Sequence, residues 1–392
     1  MQEAFIVSGA RTPIGRYGGA LAHIRPDDLA AVVVGEAVAR SGIDPQLIDE
    51  VILGGANQAG EDNRNVARMA VLLAGLPQTI PGFTVNRLCA SGMTAIATAR
   101  QMIAAGAADV VVAGGVESMT RAPWVQEKPS RPFAKPGAAF DTSIGWRFTN
   151  PRFDAATTFS MPETAEEVAR RWKLTRAECD VFALRSHERA LDAMKNGRFV
   201  DEIVAVPVKG GEVSHDEGPR AESTLERLAS LRPIFGPDGV VTAGNASSLN
   251  DGAAATVIVS ERFMTEHGLE PRARVAASAN VGVEPAVMGI GPVPATQKVL
   301  KRAGWTTTGL EAIELNEAFA SQSLACMREL DLDPALVNAD GGAIALGHPL
   351  GASGTRIVLT LLGRLERADA NRGLATMCVG VGQGSALLLE RP

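Results

Sequence analysis

The sequence predicts an α/β layered protein made of two similar halves, and three observations carry that prediction. Short β-rich apolar runs alternate with Ala-rich helical runs along most of the chain. Adding 262 to a residue number maps Ile48-Asp49-Glu50-Val51-Ile52-Leu53 onto Leu310-Glu311-Ala312-Ile313-Glu314-Leu315, and Cys89-Ala90-Ser91-Gly92 onto Gly351-Ala352-Ser353-Gly354. The chain, at 392 residues, also exceeds the size at which a single core usually stops growing.

In order along the first half, Ala4 to Val7 reads as a strand ending at the Arg11-Thr12-Pro13 turn, and Leu29 to Ala39 as a helix. Val51 to Leu53 is a strand, Val66 to Leu73 a helix, the small-residue run after Cys89 a helix, and Asp109 to Ala113 a strand. Arg121 to Asp154 is rich in Pro, Arg, Phe and Trp without a sustained period, which predicts a surface excursion. Thr164-x-x-Glu167 and Thr175-x-x-Glu178 both match capping boxes, the second opening an amphipathic run through Val181, Leu184, Ala190 and Met194. After the loop Thr242 to Ser247, Ala253 to Val259 resumes as a buried strand. The rhythm then repeats near Arg274, through Thr296 to Ala303, Ala312 to Leu315, Glu317 to Leu330, the run after Gly351, and the strands Ala375 to Val379 and Ser385 to Leu389. Ala107 to Val112 resembles Leu374 to Val379 at an offset of 267, which predicts five extra residues ahead of that strand in the second half. The division expected is 1–120 for the first half, 121–245 for an inserted domain, 246–271 for the return to the first half and 272–392 for the second.

Hydrophobic content of 46% with 21% charged residues fits an α/β protein, and no apolar run approaches a membrane span of about 20 residues. The net charge of −6 argues against general nucleic-acid binding but leaves room for a local anion site. Cys89, Cys179, Cys326 and Cys378 are widely spaced without a C-x-x-C pair, so neither zinc nor a disulfide framework is indicated and a reducing compartment fits. No basic signal or Arg-rich transit segment opens the chain, and a cytoplasmic protein is expected.

Cys89 precedes a helical run, where unpaired N–H groups and the positive dipole end favour a nucleophilic thiolate; the alternative is a packed core cysteine. His348 lies in Gly341-Gly342-Ala343-Ile344-Ala345-Leu346-Gly347-His348-Pro349, a turn that could fix it as a base, while His23, His187, His215 and His267 read as surface residues. Cys378 precedes a glycine turn and is either a proton carrier with a thiol tuned toward neutrality or a core strand residue. That turn lacks G-x-G-x-x-G spacing and a following helix, which excludes a dinucleotide loop. Asn316 closes a strand, where it can orient a water or an oxyanion or cap the next helix. Cys179 and Cys326 read as packing residues, and no metal site is expected.

Asn86-Arg87-Leu88-Cys89-Ala90-Ser91-Gly92, Asn316-Glu317-Ala318-Phe319-Ala320, the stretch from Gly341 to Pro349, and Cys378-Val379-Gly380-Val381-Gly382-Gln383-Gly384 resemble the four signatures of the thiolases. The resemblance extends over essentially the whole chain. It implies the thiolase fold: two βαβαβ-type halves in a five-layered α-β-α-β-α core with a loop domain inserted. It implies Cys89 as the nucleophile toward an acyl-CoA thioester, His348 as its base, and Cys378 as the group exchanging the α-proton. His348 and a water on Asn316 would stabilise the enolate, and the N–H groups of Cys89 and Gly380 the tetrahedral intermediate. Coenzyme A or acetyl-CoA would bind as substrate, with no permanent cofactor, beside Met161, Phe235, Ala243, Ser247, Met288, Ala318 and Phe319, with Arg220 near its nucleotide. Ser160-Met161-Pro162 departs from the His-Met-Gly of acetoacetyl-specialised members. Together with Gly60 to Met69 and Thr142 to Phe148 it looks more like 3-oxoadipyl-CoA thiolases, with Arg147 or another base facing the adipyl carboxylate. Acetoacetyl-CoA thiolase is the alternative activity, and a non-catalytic acyl-CoA-binding relative the alternative of another class. The family also implies a homo-oligomer, dimer or tetramer, with Arg121 to Asp154 in tetramer contacts.

Overall fold

A computed structural model describes residues 2–392. The first half contributes β1 (Ala4–Arg11), β2 (Gly15–Arg16), α1 (Pro26–Ser41), β3 (Glu50–Gly54), α2 (Val66–Leu73), β4 (Gly82–Val85), α3 (Ser91–Ala104) and β5 (Val110–Ser118). Next come β6 (Trp124–Gln126), β7 (Ala139–Asp141), α4 (Met161–Arg171), α5 (Arg176–Lys195), β8 (Val206–Val208), β9 (Gly211–Val213) and α6 (Leu225–Ser230). The chain returns through β10 (Asn250–Ser260) and α7 (Glu261–Glu266). The second half has β11 (Ala273–Gly282), α8 (Pro292–Ala303), β12 (Ala312–Leu315), α9 (Ala320–Glu329), α10 (Ala343–Leu346), α11 (Leu350–Ala368), β13 (Arg372–Val379) and β14 (Gln383–Glu390).

The main sheet runs β12-β13-β14-β11-β1-β10-β5-β3-β4, and its two wings join where Phe5 and Ile6 of β1 pair with Arg274 and Ala273 of β11. The period of 2 along a strand assigns the layers. Val257 and Val259 of β10 face the cluster of α1 and α2, while Ile258 faces α3 and α11. In the other wing Leu387 and Leu389 of β14 face α3 and α11, and Ala386 and Leu388 face α8. Helices α3 and α11 therefore lie between the wings, with α1 and α2 outside one and α8 and α9 outside the other, giving the five layers. Strands covered on both faces read as nearly continuous apolar runs.

The repeat is stricter than its sequence suggests. Val51 pairs with Val112, and Ile313 pairs with Leu374, so β13 follows β5 at the same 262 offset as β12 follows β3. The five extra residues expected before β13 do not exist. Two doubly buried strands of small and branched residues carry no polar mark of register, and the match at 267 was a slide along them. Gly42 and Gly304, also 262 apart, both end helices in the left-handed region at φ 67° and 69°. The two halves meet where the N-terminal turns of α3 and α11 cross. A Cβ on Gly92 would lie 2.6 Å from Thr355 Oγ1, and one on Gly354 would lie 2.3 Å from the Met93 amide nitrogen.

Three local expectations need correction. The capping box of α4 is Ser160 with Glu163, one turn ahead of Thr164 and Glu167, because Pro162 fixes the first turn there. The Arg121 to Asp154 excursion lies mostly exposed at the surface, as read, but the missing period hid the hairpin of β6 and β7 inside it. His187 is buried in α5 rather than solvated, and burial followed by the charge of Arg220 pushes its imidazole down to about 4. Thr175 and Glu178 form the capping box that opens α5 as expected, and Cys179 and Cys326 are buried packing residues.

Candidate active site

Cys89 occupies a single 3₁₀ turn, Leu88–Ala90, immediately ahead of α3. Leu88 has φ 47°, a left-handed conformation that costs a non-glycine residue roughly 1–3 kcal/mol. Its neighbours impose it: Leu88 N–H donates to Asn86 Oδ1 at 2.8 Å, and Ser91 Oγ accepts from Arg87 N–H at 2.9 Å while donating to Leu88 O at 2.7 Å. The backbone N–H groups of Gly380 and of Cys89 itself face the sulfur, but burial outweighs them and pushes the thiol up to about 11. Desolvation between the halves thus opposes the thiolate that the dipole end favours. At neutral pH this thiol needs a base.

His348 comes from the other half. Its Nδ1 lies 2.6 Å from Ser353 Oγ, which also donates to Pro349 O at 2.9 Å. A hydroxyl has one proton; with it on the Pro349 carbonyl, Ser353 accepts from Nδ1–H and Nε2 keeps its lone pair. Nε2 faces Asn316 Nδ2 at 3.4 Å, and the His348 N–H donates to Asn250 Oδ1 at 2.9 Å. Burial, then the positive charge of Arg356, pushes the imidazole down to about 3.

Asn316 continues β12, its N–H donating to Thr376 O at 3.0 Å. It caps nothing: α9 begins at Ala320 with Phe319 as N-cap. The Asn316 Oδ1 is buried without a protein partner, as suits an amide held for a water or substrate atom. Cys378 is buried on β13, and burial followed by the neighbouring Cys89 raises its thiol well above the ordinary range, not toward neutrality. Gly380 opens the turn to β14, where a Cβ would approach Leu88 Cδ1 and Trp146 Cη2 at 3.1 Å each. Trp146 is fixed by its Nε1 donating to Phe159 O at 3.1 Å.

Met161, Met288, Ala318 and Phe319 pack in one apolar cluster with Cys378, and Ser247 N–H donates to Ala318 O at 3.0 Å. Arg220 and Ala243 line a cleft of about 580 Å³ with Arg16, His187 and Arg227. None of those three arginines is ion-paired among the described residues. Phe235 stands apart, lining a neighbouring cleft of about 570 Å³ with Phe159.

Four contributors escaped the sequence reading. Ser353 could have been found, since it is the repeat partner of Ser91 and both serines brace a reactive turn. Asn250 is remote in sequence and carries no local signal. Glu117 ties the turn after β3 to α11, accepting from Ala56, Asn57 and Gly351 N–H at 2.9, 3.0 and 2.9 Å. Burial pushes its carboxyl up to about 7. Trp146 lies in a loop without periodicity.

Two family profiles cover the chain, "Thiolase, N-terminal domain" over residues 4–262 and "Thiolase, C-terminal domain" over 269–391. The chain belongs to the thiolase family. This thiolase is 56% identical to a beta-ketoadipyl-CoA thiolase of Pseudomonas aeruginosa, covering 100% of this chain and 99% of the relative. It is 54% identical to the 3-oxoadipyl-CoA/3-oxo-5,6-dehydrosuberyl-CoA thiolase of Escherichia coli, both chains covered in full. Among solved structures, the thiolase matches the Bacillus anthracis acetyl-CoA acetyltransferase at TM-score 0.94 and 43% identity, covering 100% of this chain and 99% of that one. Human mitochondrial 3-ketoacyl-CoA thiolase in complex with CoA matches at TM-score 0.94 and 38% identity, with 100% and 98% covered. The thiolase is accordingly an acyltransferase acting on CoA thioesters, and no helix among its described residues is long and apolar enough to cross a membrane.

Proposed function

We propose that this thiolase cleaves 3-oxoadipyl-CoA with CoA, through an acyl group on Cys89. His348 Nε2 takes the Cys89 proton as sulfur attacks the 3-oxo carbon, and the N–H groups of Cys89 and Gly380 receive the oxyanion. The C2–C3 bond breaks, the acetyl-CoA enolate is held by His348 and a water on Asn316, and Cys378 protonates its C2. A thiol kept protonated by burial is a ready donor for that step. CoA then yields its thiol proton to Cys378, attacks the acyl-cysteine and leaves as the shortened acyl-CoA, while His348 returns a proton to Cys89.

The observation that supports the reading is that the Cys89 sulfur of the first half faces the Gly380 N–H and neighbours the Cys378 thiol of the second, the half that also holds His348 Nε2 against Asn316 Nδ2 at 3.4 Å. CoA fits beside Met161, Met288, Ala318, Phe319 and Ser247, its phosphates toward the unpaired Arg220 cleft, with Phe235 at the neighbouring cleft and no permanent cofactor. Arg147, half-buried beside Trp146 and without an ion-pair partner among the described residues, is suited to the adipyl carboxylate. The division into 1–120, 121–245, 246–271 and 272–392, a cytoplasmic location, and a dimer or tetramer with the exposed hairpin side chains Trp124 and Phe140 in its contacts complete the proposal.

Incubation with acetyl-CoA followed by intact-mass and peptide analysis is expected to place an acetyl group on Cys89; no adduct there overturns the mechanism. Thiolysis should favour 3-oxoadipyl-CoA over acetoacetyl-CoA and a medium-chain 3-oxoacyl-CoA. A tenfold preference for acetoacetyl-CoA, about 1.4 kcal/mol in the barrier, would leave the acetoacetyl activity as the better reading. Arg220→Ala is expected to raise KM for CoA about tenfold with kcat nearly unchanged, because a phosphate contact distant from the thiols binds ground and transition states alike.

A further inference from the structure

Between β7 and α4 the chain reaches the turn that carries Cys89, and this passage is tied down at both ends. Thr142 and Ser143 are buried at its start. The Thr142 hydroxyl accepts from Asn57 Nδ2 at 2.8 Å and donates to Pro123 O at 2.6 Å, while Asn57 N–H donates to Glu117 Oε1 at 3.0 Å. Gly145 then turns the backbone at φ 80°, a conformation that favours glycine. Ile144 and Phe148 are exposed, whereas Trp146 between them is half-buried. Its Nε1–H donates to Phe159 O at 3.1 Å, immediately ahead of the Ser160 and Glu163 capping box of α4.

The benzene edge of that indole lies against the residues that frame the Cys89 sulfur. A Cβ placed on Gly380 would stand 3.1 Å from Trp146 Cη2, 3.3 Å from Trp146 Cζ2 and 3.1 Å from Leu88 Cδ1. Leu88 is the left-handed residue before Cys89, and Gly380 N–H faces the sulfur. The apolar cluster around Cys378 is built instead from Met161, Met288, Ala318 and Phe319. The two thiols therefore have separate apolar surroundings, and the indole belongs to those of Cys89. A ring packed along one edge and hydrogen-bonded at the other has little freedom to turn aside. An acyl chain long enough to run into it can pass only by breaking the bond from Nε1–H to the Phe159 carbonyl and leaving both groups unpaired.

We propose that Trp146 is a specificity-determining residue of this thiolase, its indole closing the space beside the Cys89 sulfur. The short acyl group left on Cys89 by thiolysis of a six-carbon dicarboxylic 3-oxoacyl-CoA is admitted, and a long alkyl chain is refused. The inference rests on Cys89 carrying the acyl group. Selection of this kind works by exclusion of the competitor rather than by added contacts to the substrate. Because Arg147 follows on the same anchored segment, the wall that limits the chain and the cation suited to its carboxylate are set together.

The test is the kcat/KM for thiolysis of 3-oxodecanoyl-CoA as a ratio to that of 3-oxoadipyl-CoA, in Trp146→Ala and Trp146→Phe. In Trp146→Ala the ratio is expected to rise at least about fivefold over the unaltered enzyme, because the longer chain gains the room of the indole. Trp146→Phe keeps a ring but loses the N–H anchor, and its ratio should fall between the two. A smaller rise in Trp146→Ala overturns the proposal, including the unchanged ratio that a merely loosened site, slowed alike on both substrates, would give. A Trp146→Phe ratio above that of Trp146→Ala overturns it as well. Should Trp146→Ala fail to fold, Trp146→Leu removes the ring while keeping an apolar side chain and is read the same way. Absence of the Cys89 adduct in the unaltered enzyme would instead remove the functional reading itself, so the two failures are distinct.

Discussion

His348→Ala is expected to lower kcat/KM by about 10³-fold at pH 7.5 while leaving KM for CoA within about threefold, since general bases contribute roughly 10²–10⁴. Burial holds the Cys89 thiol near 11, so only about one molecule in three thousand carries a thiolate at that pH without help. The sign follows directly: a thiol loses its proton as pH rises toward its pKa, so the variant should gain close to tenfold per pH unit between 7 and 9, where the unaltered enzyme gains little. Steady-state rates across that range check it. A variant whose rate stays level with pH would mean that thiol activation lies elsewhere.

Gly354→Ala and Gly92→Ala are each expected to destabilise the protein by about 3 kcal/mol or more. The added carbon on residue 354 would sit 2.3 Å from the Met93 amide nitrogen, and that on residue 92 would sit 2.7 Å from Gly351 O. Both obstacles include backbone inside a crossing of two helices, so no rotamer change relieves them. Denaturant midpoints, with Gly137→Ala as a control whose Cβ meets nothing within 4 Å, provide the comparison. Unfolding free energies within about 0.5 kcal/mol of the control would mean that the crossing tolerates separation.

The duplication, and the candidate reactive residues, could be singled out in the sequence because both sit at marked places. Gly42, Gly304 and the segments after them keep one offset, and Cys89, Asn316, His348 and Cys378 adjoin turns rich in small residues. What failed was what depends on partners brought from afar. The register of β13 was misread because buried strands lack polar landmarks. The desolvation of Cys89 and Cys378 was missed because local helix and turn signals say nothing of the other half's covering layer. His187 looked solvated among polar neighbours in sequence, yet the later loop folds back over α5, its Arg220 N–H donating to His187 Nδ1. Asn316 looked like a cap until the helix start moved to Ala320.

The crossing of α3 and α11 has an ancestral meaning. Shifting by 262 exchanges its two contacts, Gly92 with Thr355 and Gly354 with Met93, which is the self-complementarity of a twofold axis. A half-length forebear with glycine at that position would have met its own copy through the same helix, with two equivalent and necessarily identical reactive turns. Joining the copies in one chain released that constraint. One turn could then specialise in carrying the acyl group and the other in handling protons, a division of labour that a symmetric dimer cannot encode.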